Sequence, residues 1–190
     1  MEPWRAWRKA ERERLLAGRA ALSSAEREAA TAAIASALEG VLPEGPGRVL
    51  GLYWPIKGEL DLRAWALGTA ERRGWSLALP VVVEPRTPLV YRPWSRGTPM
   101  ERGFWNILVP AGSETAVPDV VIAPLVGFRA DGLWRLGYGG GYFDRTLASL
   151  SPRPLAIGIG LAATEVPGYA PEPHDIPMDA IVTEAGVLRR

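Results

Sequence analysis

Four glycines fall between positions 137 and 141, in the stretch RLGYGGGYFDR that runs from Arg135 to Arg145. Only Tyr138 interrupts them, and Tyr142, Phe143 and Asp144 follow at once. A glycine run costs conformational entropy, so it marks a sharp bend or a close approach of the backbone to something. Successive glycine N–H groups can converge on an anion, and a helix starting just after them would add the positive end of its dipole. Arg135 and Arg145 flank the run and could add charge-assisted bonds to a phosphate. Asp144 could hold Mg²⁺ beside it. The run is not a Walker A loop, because no Gly-Lys-Ser/Thr follows, and it fits the dinucleotide fingerprint only with Tyr in the last glycine position. Spacing alone leaves two readings open, a phosphate cradle and a tight strand-to-helix turn.

Other residues of the right chemistry lie far away in sequence. Glu59 and Asp61 are two apart, so an extended backbone would point both the same way, toward a polar substrate. Asp61 reads equally as the cap of a following helix. Arg8 and Arg12 lie one helical turn apart and could grip a polyphosphate, or form a solvated face paired with Glu11 and Glu13. Phe104 and Trp105 could stack on a flat ring or pack in a core. The lone His174 leaves Ser-His-Asp and zinc chemistry little material. Asp179 opens a late apolar segment and could reach the same place as Asp144.

These residues need a scaffold. The chain has 190 residues, 47% hydrophobic and 23% charged, which suits one ordered domain spanning 1–190. With no Cys, disulfides, thiolate metal sites and Cys nucleophiles are excluded. A net charge of +1 does not favour nucleic acid or an anionic membrane as partner. The charged N-terminus has no signal-like apolar stretch, and no apolar run is long enough to cross a bilayer, so a cytoplasmic protein without membrane or nucleic-acid partners is expected. Two helices are expected first, one after Pro3 and one in LSSAEREAATAAIASALEG, capped by Ser23 or Ser24 and ended by Gly40. Then strands and helices alternate: GRVLGLYWP, DLRAWALGTAERRG as a helix, WSLALPVVV, LVYRPW, and DVVIAPLVGF as one continuous buried strand. YFDRTLASLS reads as the helix after the glycines, and PLAIGIG and AIVTE as late strands. This order predicts an α/β fold, a three-layer α/β/α sandwich with a mostly parallel central sheet and an N-terminal helical pair.

Taken in order, the pieces resemble one family. Arg8, Arg12 and RAALS (Arg19 to Ser23), GELD at 58–61, PLVGFRADGLWRLGYGGGYFDRTL (Pro124 to Leu147) and DIPMDAIVTE are similar to the motifs of the 5-formyltetrahydrofolate cyclo-ligases, also called methenyltetrahydrofolate synthetases. The resemblance implies closure of 5-formyltetrahydrofolate to 5,10-methenyltetrahydrofolate with ATP and Mg²⁺, through an N5-iminium phosphate, by a monomer. It implies that Arg8, Arg12, Arg135, Leu136, Gly137, Tyr138, Gly139, Gly140, Gly141, Tyr142 and Phe143 surround ATP. Glu59, Asp61, Trp105 and the residues from Tyr138 to Tyr142 would line the folate side, and Asp144 and Asp179 would serve Mg²⁺. Two departures stand out. Arg8 replaces a frequent Lys, and Gly140 stands where some members carry a Lys, with Lys57 a candidate to replace it. The alternative is a same-fold paralogue that binds ATP or a phosphorylated ligand and has a non-folate acceptor.

Overall fold

The computed structural model describes residues 3–190. Helix α1 (Pro3–Ala20) and helix α2 (Ser24–Glu39) form the expected N-terminal pair. Ser23 caps α2 by accepting from the Glu26 amide, while the Glu26 side chain accepts from the Ser23 amide, a complete capping box. Met1 and Glu2 lie outside the described residues.

Strand β1 (Val49–Gly51) follows, then α3 (Arg63–Arg73), closed by Gly74 in the left-handed region at φ 63°. Next come β2 (Ser76–Val81), β3 (Val90–Trp94), the short hairpin β4 (Met100–Arg102) and β5 (Leu108–Pro110), and β6 (Val120–Pro124). A second hairpin, β7 (Gly127–Arg129) and β8 (Trp134–Leu136), leads into the glycine run and α4 (Tyr142–Ser149). β9 (Leu155–Ile159), β10 (Ala180–Thr183) and β11 (Gly186–Arg189) complete the chain. Seven strands form one sheet in the order β11-β10-β9-β6-β1-β2-β3. Its five inner strands pair in parallel, and both edge strands are antiparallel.

The layers follow from the alternation of side chains along the strands. Leu50, Val120, Ile122, Ile157 and Val182 face α2 and α3 and meet Ile34, Leu38 and Ala66. Val121, Ala123, Ala156 and Ile181 face the other way, against Leu147 of α4 and Phe128 and Leu133 of the second hairpin. All five residues of β6 are buried, as a strand covered on both faces requires.

DVVIAPLVGF is not one strand. The Leu125 amide still bonds the Ile159 carbonyl, but the Val126 amide turns to Leu136 in the second hairpin. The run stays apolar because its two halves enter different buried layers. Likewise the expected strand over 48–54 stays regular only to Gly51. Leu52 keeps one sheet bond to Ala78, and Tyr53 then turns away to give its hydroxyl proton to the Leu60 carbonyl.

Candidate active site

From β1 the chain crosses to β2 on one side, whereas β6, β9 and β10 build the other. A crevice at the carboxyl ends of β1 and β6 is therefore fixed by topology, and it is where open α/β sheets bind ligands. Here lies a cavity of ≈ 20 Å³ lined by Arg19, Tyr53, Glu59, Leu125, Gly160 and Thr164, room for about one water.

Glu59 is the acidic residue of this crevice. It is only 8% exposed, and both oxygens are engaged: Oε1 accepts from the Tyr138 hydroxyl at 2.9 Å and Oε2 from the Ile56 amide at 2.9 Å. The Arg19 guanidinium lies 3.9 Å from Oε1. Burial raises the Glu59 pKa, and these donors and the Arg19 charge only partly oppose it. Burial likewise pushes the Tyr138 hydroxyl well above the ordinary tyrosine value, so it stays a proton donor.

Tyr138 belongs to the glycine run, so the run is tied to the crevice. Gly139 and Gly141 have φ of 97° and 63°, backbone that side chains resist, and Gly141 opens α4. Among the described residues, no protein acceptor takes an amide proton from Gly137 to Asp144. Those donors remain unspent within the protein. Arg12 bonds the Gly137 carbonyl through Nε at 2.7 Å, and its Nη atoms lie 3.3–3.5 Å from where a Gly139 Cβ would be. Burial, then the charge of Arg8, lowers the Arg12 pKa, the mark of a cation short of negative partners. The Nε atoms of Arg135 and Arg145, on either side of the loop, are buried without a partner. Open amides beside Arg12, whose Nη atoms lie against the loop, fit a polyphosphate.

The other expected residues divide. Trp105, 65% exposed on the tip of the β4–β5 hairpin, stands edge-on to Tyr142 with ring centres 5.5 Å apart. The structure thus brings it to the glycine run. The Lys57 ammonium lies 5.4 Å over the Tyr138 ring. A side chain at Gly140 would meet the Tyr142 ring at 2.8 Å. Arg8 is close to the loop but tied down, donating to the Ala170 carbonyl at 2.6 Å and pairing with Asp175 at 3.1 Å and Glu172 at 3.4 Å.

Glu59 and Asp61 part company: no strand runs through them, Glu59 is buried and Asp61 is exposed. Asp61 turns to solvent, pairs with Arg63 at 2.6 Å and accepts from the Arg63 amide at 3.1 Å; it stands one residue before the N-cap of α3, Leu62, so it is not the cap that the alternative reading expected. Its bonds to Arg63 hold its carboxyl below the ordinary range.

The expected metal pair also separates. Asp144 accepts from the Ile176 amide at 3.0 Å and faces Arg135 at 3.3 Å, one turn into α4. Asp179 sits at the opposite, amino end of the parallel strands, bonded to the Ala156 amide at 2.8 Å and to Arg153 at 2.9 Å. Strand direction is the cause, since Asp179 precedes β10 and the crevice follows β1, β6 and β9. Among the described residues no group of three or more His, Cys, Asp and Glu side chains is placed to hold a metal. Asp144 alone, beside the loop, fits Mg²⁺, which usually takes one or two carboxylates and otherwise phosphate and water oxygens. His174 is largely exposed, 3.4 Å from Glu172.

Arg19 and Tyr53 complete the crevice, and the residues alone did not single them out. A signal was present: positions 8, 12, 15 and 19 form one stripe along α1, and the structure buries Arg8, Leu15 and Arg19 on it.

A family model described as the 5-formyltetrahydrofolate cyclo-ligase family matches residues 4–184. A Haemophilus influenzae 5-formyltetrahydrofolate cyclo-ligase is 25% identical over 168 residues, covering 84% of this chain and 88% of its own. A 5,10-methenyltetrahydrofolate synthetase structure from Aquifex aeolicus superposes with a TM-score of 0.78 at 28% identity, covering 96% of this chain and 92% of its own. One from Mycoplasma pneumoniae does so at 0.75 and 25%, covering 93% and 98%.

Proposed function

The chain belongs to the 5-formyltetrahydrofolate cyclo-ligase family and is a ligase, and on that premise we propose that it converts 5-formyltetrahydrofolate to 5,10-methenyltetrahydrofolate with ATP, releasing ADP and phosphate. The observation that carries the reading is the glycine run itself. One side of it offers unspent amides and Arg12 to an anion, and Tyr138 fastens its other side to the buried carboxylate Glu59.

The chemistry needs that adjacency. The formyl oxygen is a poor leaving group. As N5 donates its lone pair into the formyl carbon, the oxygen attacks the γ-phosphorus and the bond to the ADP oxygen breaks. N10 of the folate then attacks the iminium carbon and loses its proton, and the carbon–oxygen bond breaks to release phosphate. Such a sequence calls for positioning and charge neutralisation more than for a strong base. Arg12, Arg135 and the amides of Gly137 to Gly141 hold the phosphates. Glu59 accepts hydrogen bonds from the N–H groups of the pterin edge, and Trp105 with Tyr142 offers a flat ring an aromatic wall. Mg²⁺ on Asp144 would supply charge neutralisation between the phosphates. Lys57 stands near enough to take the part of the missing signature lysine. Asp61 and Asp179 are left with structural roles. We further propose that the protein works in the cytoplasm as a monomer, the expectation that the family resemblance carries.

The test is direct. Purified protein with 5-formyltetrahydrofolate, Mg²⁺ and ATP should give the ultraviolet band of the methenyl product, and a no-ATP control should not. Protein that binds ATP yet gives no band would instead be a same-fold enzyme with another acceptor.

A further inference from the structure

We propose that Arg19 is a positioning residue of the folate site: it orients the Tyr138 hydroxyl toward Glu59 and supplies the positive charge that balances the Glu59 carboxylate. The substrate in this inference rests on the cyclo-ligase reading, whereas its geometry does not.

Proton accounting fixes the direction of the chain of bonds. A guanidinium has N–H donors and no acceptor. Arg19 Nη1, 2.9 Å from the Tyr138 oxygen, can only donate to it. The tyrosine proton is then free for one acceptor, and Glu59 Oε1 lies 2.9 Å away. Oε2 already accepts from the Ile56 amide, so neither carboxylate oxygen faces an acceptor that would favour a bound proton. Nη2 of Arg19 donates to the Leu125 carbonyl, just past the end of β6. The arginine is thus pinned to the sheet at one nitrogen and steers the loop with the other. At 6% exposure it is shielded from water, which strengthens its charge at Glu59.

The other charged or titratable groups around Glu59 do not duplicate this. Tyr53 donates to the Leu60 carbonyl. Lys57 lies over the Tyr138 ring rather than against the carboxylate. Asp61 is turned to Arg63. Arg135 acts on Glu59 through space, more weakly than Arg19, and is paired with Asp144. Arg19 is the cation within 4 Å of Glu59 among the described residues. Without it, a carboxylate already raised by burial would take up a proton at higher pH and lose its grip on pterin N–H donors.

Arg19 also anchors the last turn of α1, so the experiment must see more than stability. Protein carrying ¹³C in its glutamate carboxyl groups is titrated by NMR, with the Glu59 signal identified by its loss in Glu59→Gln. In Arg19→Met the Glu59 midpoint should rise by about one pH unit or more, and Arg19→Lys should restore most of the difference. Tyr138→Phe, which leaves the arginine in place and removes the relay, should raise it too. In turnover assays Arg19→Met should raise the Michaelis constant for 5-formyltetrahydrofolate about tenfold at neutral pH, with that for ATP changed less than about twofold. The acid limb of kcat/KM should move with the NMR midpoint. If neither Arg19→Met nor Tyr138→Phe moves the midpoint, the proposal is overturned. It is overturned too if both Michaelis constants rise together while the acid limb stays put. A midpoint that moves in protein without cyclo-ligase turnover leaves the role of Arg19 standing and removes the folate reading instead.

Discussion

Asp144 offers one oxygen to the Ile176 amide and the other to Arg135, which is itself 9% exposed and lacks a partner at Nε. Asparagine is nearly the same shape and can still accept from the Ile176 amide, so Asp144→Asn removes a charge with little change in packing. Loss of that charge-assisted contact should cost about 1–3 kcal/mol, read from urea melts, and leave a folded protein. On the proposed function turnover should disappear, because Asp144 is the carboxylate that would hold Mg²⁺ beside the phosphates; wild-type rates in the variant would remove Asp144 from the site. The two arginines of α1 should behave differently from each other. Arg12 spends one nitrogen on Gly137 and keeps its others toward the loop, whereas Arg8 is bound to Ala170, Asp175 and Glu172. Arg12→Ala should therefore raise the Michaelis constant for ATP about tenfold or more with a small loss of stability. Arg8→Ala should chiefly lower the melting temperature, since it strands Asp175, whose carboxyl is held down, against its burial, by the Glu172 amide, Tyr169 and Arg8. Michaelis constants and melts of both variants separate the two roles. The sequence showed both arginines at the right spacing, but not which was already partnered, because the partners lie more than 120 residues further on.

Between residue and fold stands the glycine run, an element defined by backbone rather than by side chains. Gly139 has φ 97°, and a Cβ there would come within 3.3 Å of the Arg12 guanidinium. Gly139→Ala therefore adds backbone strain of about 1–3 kcal/mol and pushes on Arg12 together. Its effect should fall on ATP, with a Michaelis constant raised several-fold or more, while the constant for 5-formyltetrahydrofolate changes less. Equal loss on both substrates would mean that the loop acts as one rigid unit. This element was legible from composition alone, as were the helices around Ile34 and Ala66 and the alternation that gives the parallel sheet. The hairpins β4–β5 and β7–β8 were not, because their strands are only three residues long and too short to show a period. The second was further hidden by the unbroken apolar run that feeds it. GELD misled for a related reason: a two-residue spacing predicts a shared direction only in a regular strand, and these residues lie outside any strand, with Glu59 bonded to Tyr138 and Asp61 to Arg63.

For the whole molecule, what matters is how α1 is held. Among the residues whose burial is described, α1 buries Arg8, Leu15 and Arg19, two of them charged. Leu15 seats over Gly127, where a Cβ would meet its Cδ1 at 2.7 Å and the Thr164 carbonyl at 3.0 Å. The helix is thus fastened to the glycine run and to the segment around Tyr169 by arginine side chains and one small apolar cluster, while α2 and α3 are fastened to the sheet by a continuous core. Elements with few buried apolar contacts open at lower free energy than the core. α1 should therefore exchange its amide hydrogens well before the central strands do, through an opening that takes Arg12 and Arg19 away from the loop. A nucleotide bound between Arg12 and the glycine run closes that opening by linkage, by about 2.7 kcal/mol at a hundredfold excess over its dissociation constant. Hydrogen exchange followed by mass spectrometry, with and without ATP and Mg²⁺, tests this. Protection should rise by up to about a hundredfold in α1 and in residues 137–144, and little in β6 and β9, which already open only with the whole fold. Protection confined to the loop, with α1 unchanged, would mean that the nucleotide does not engage Arg12, and the phosphate site would then have to be built from Arg135, Arg145 and the loop amides alone.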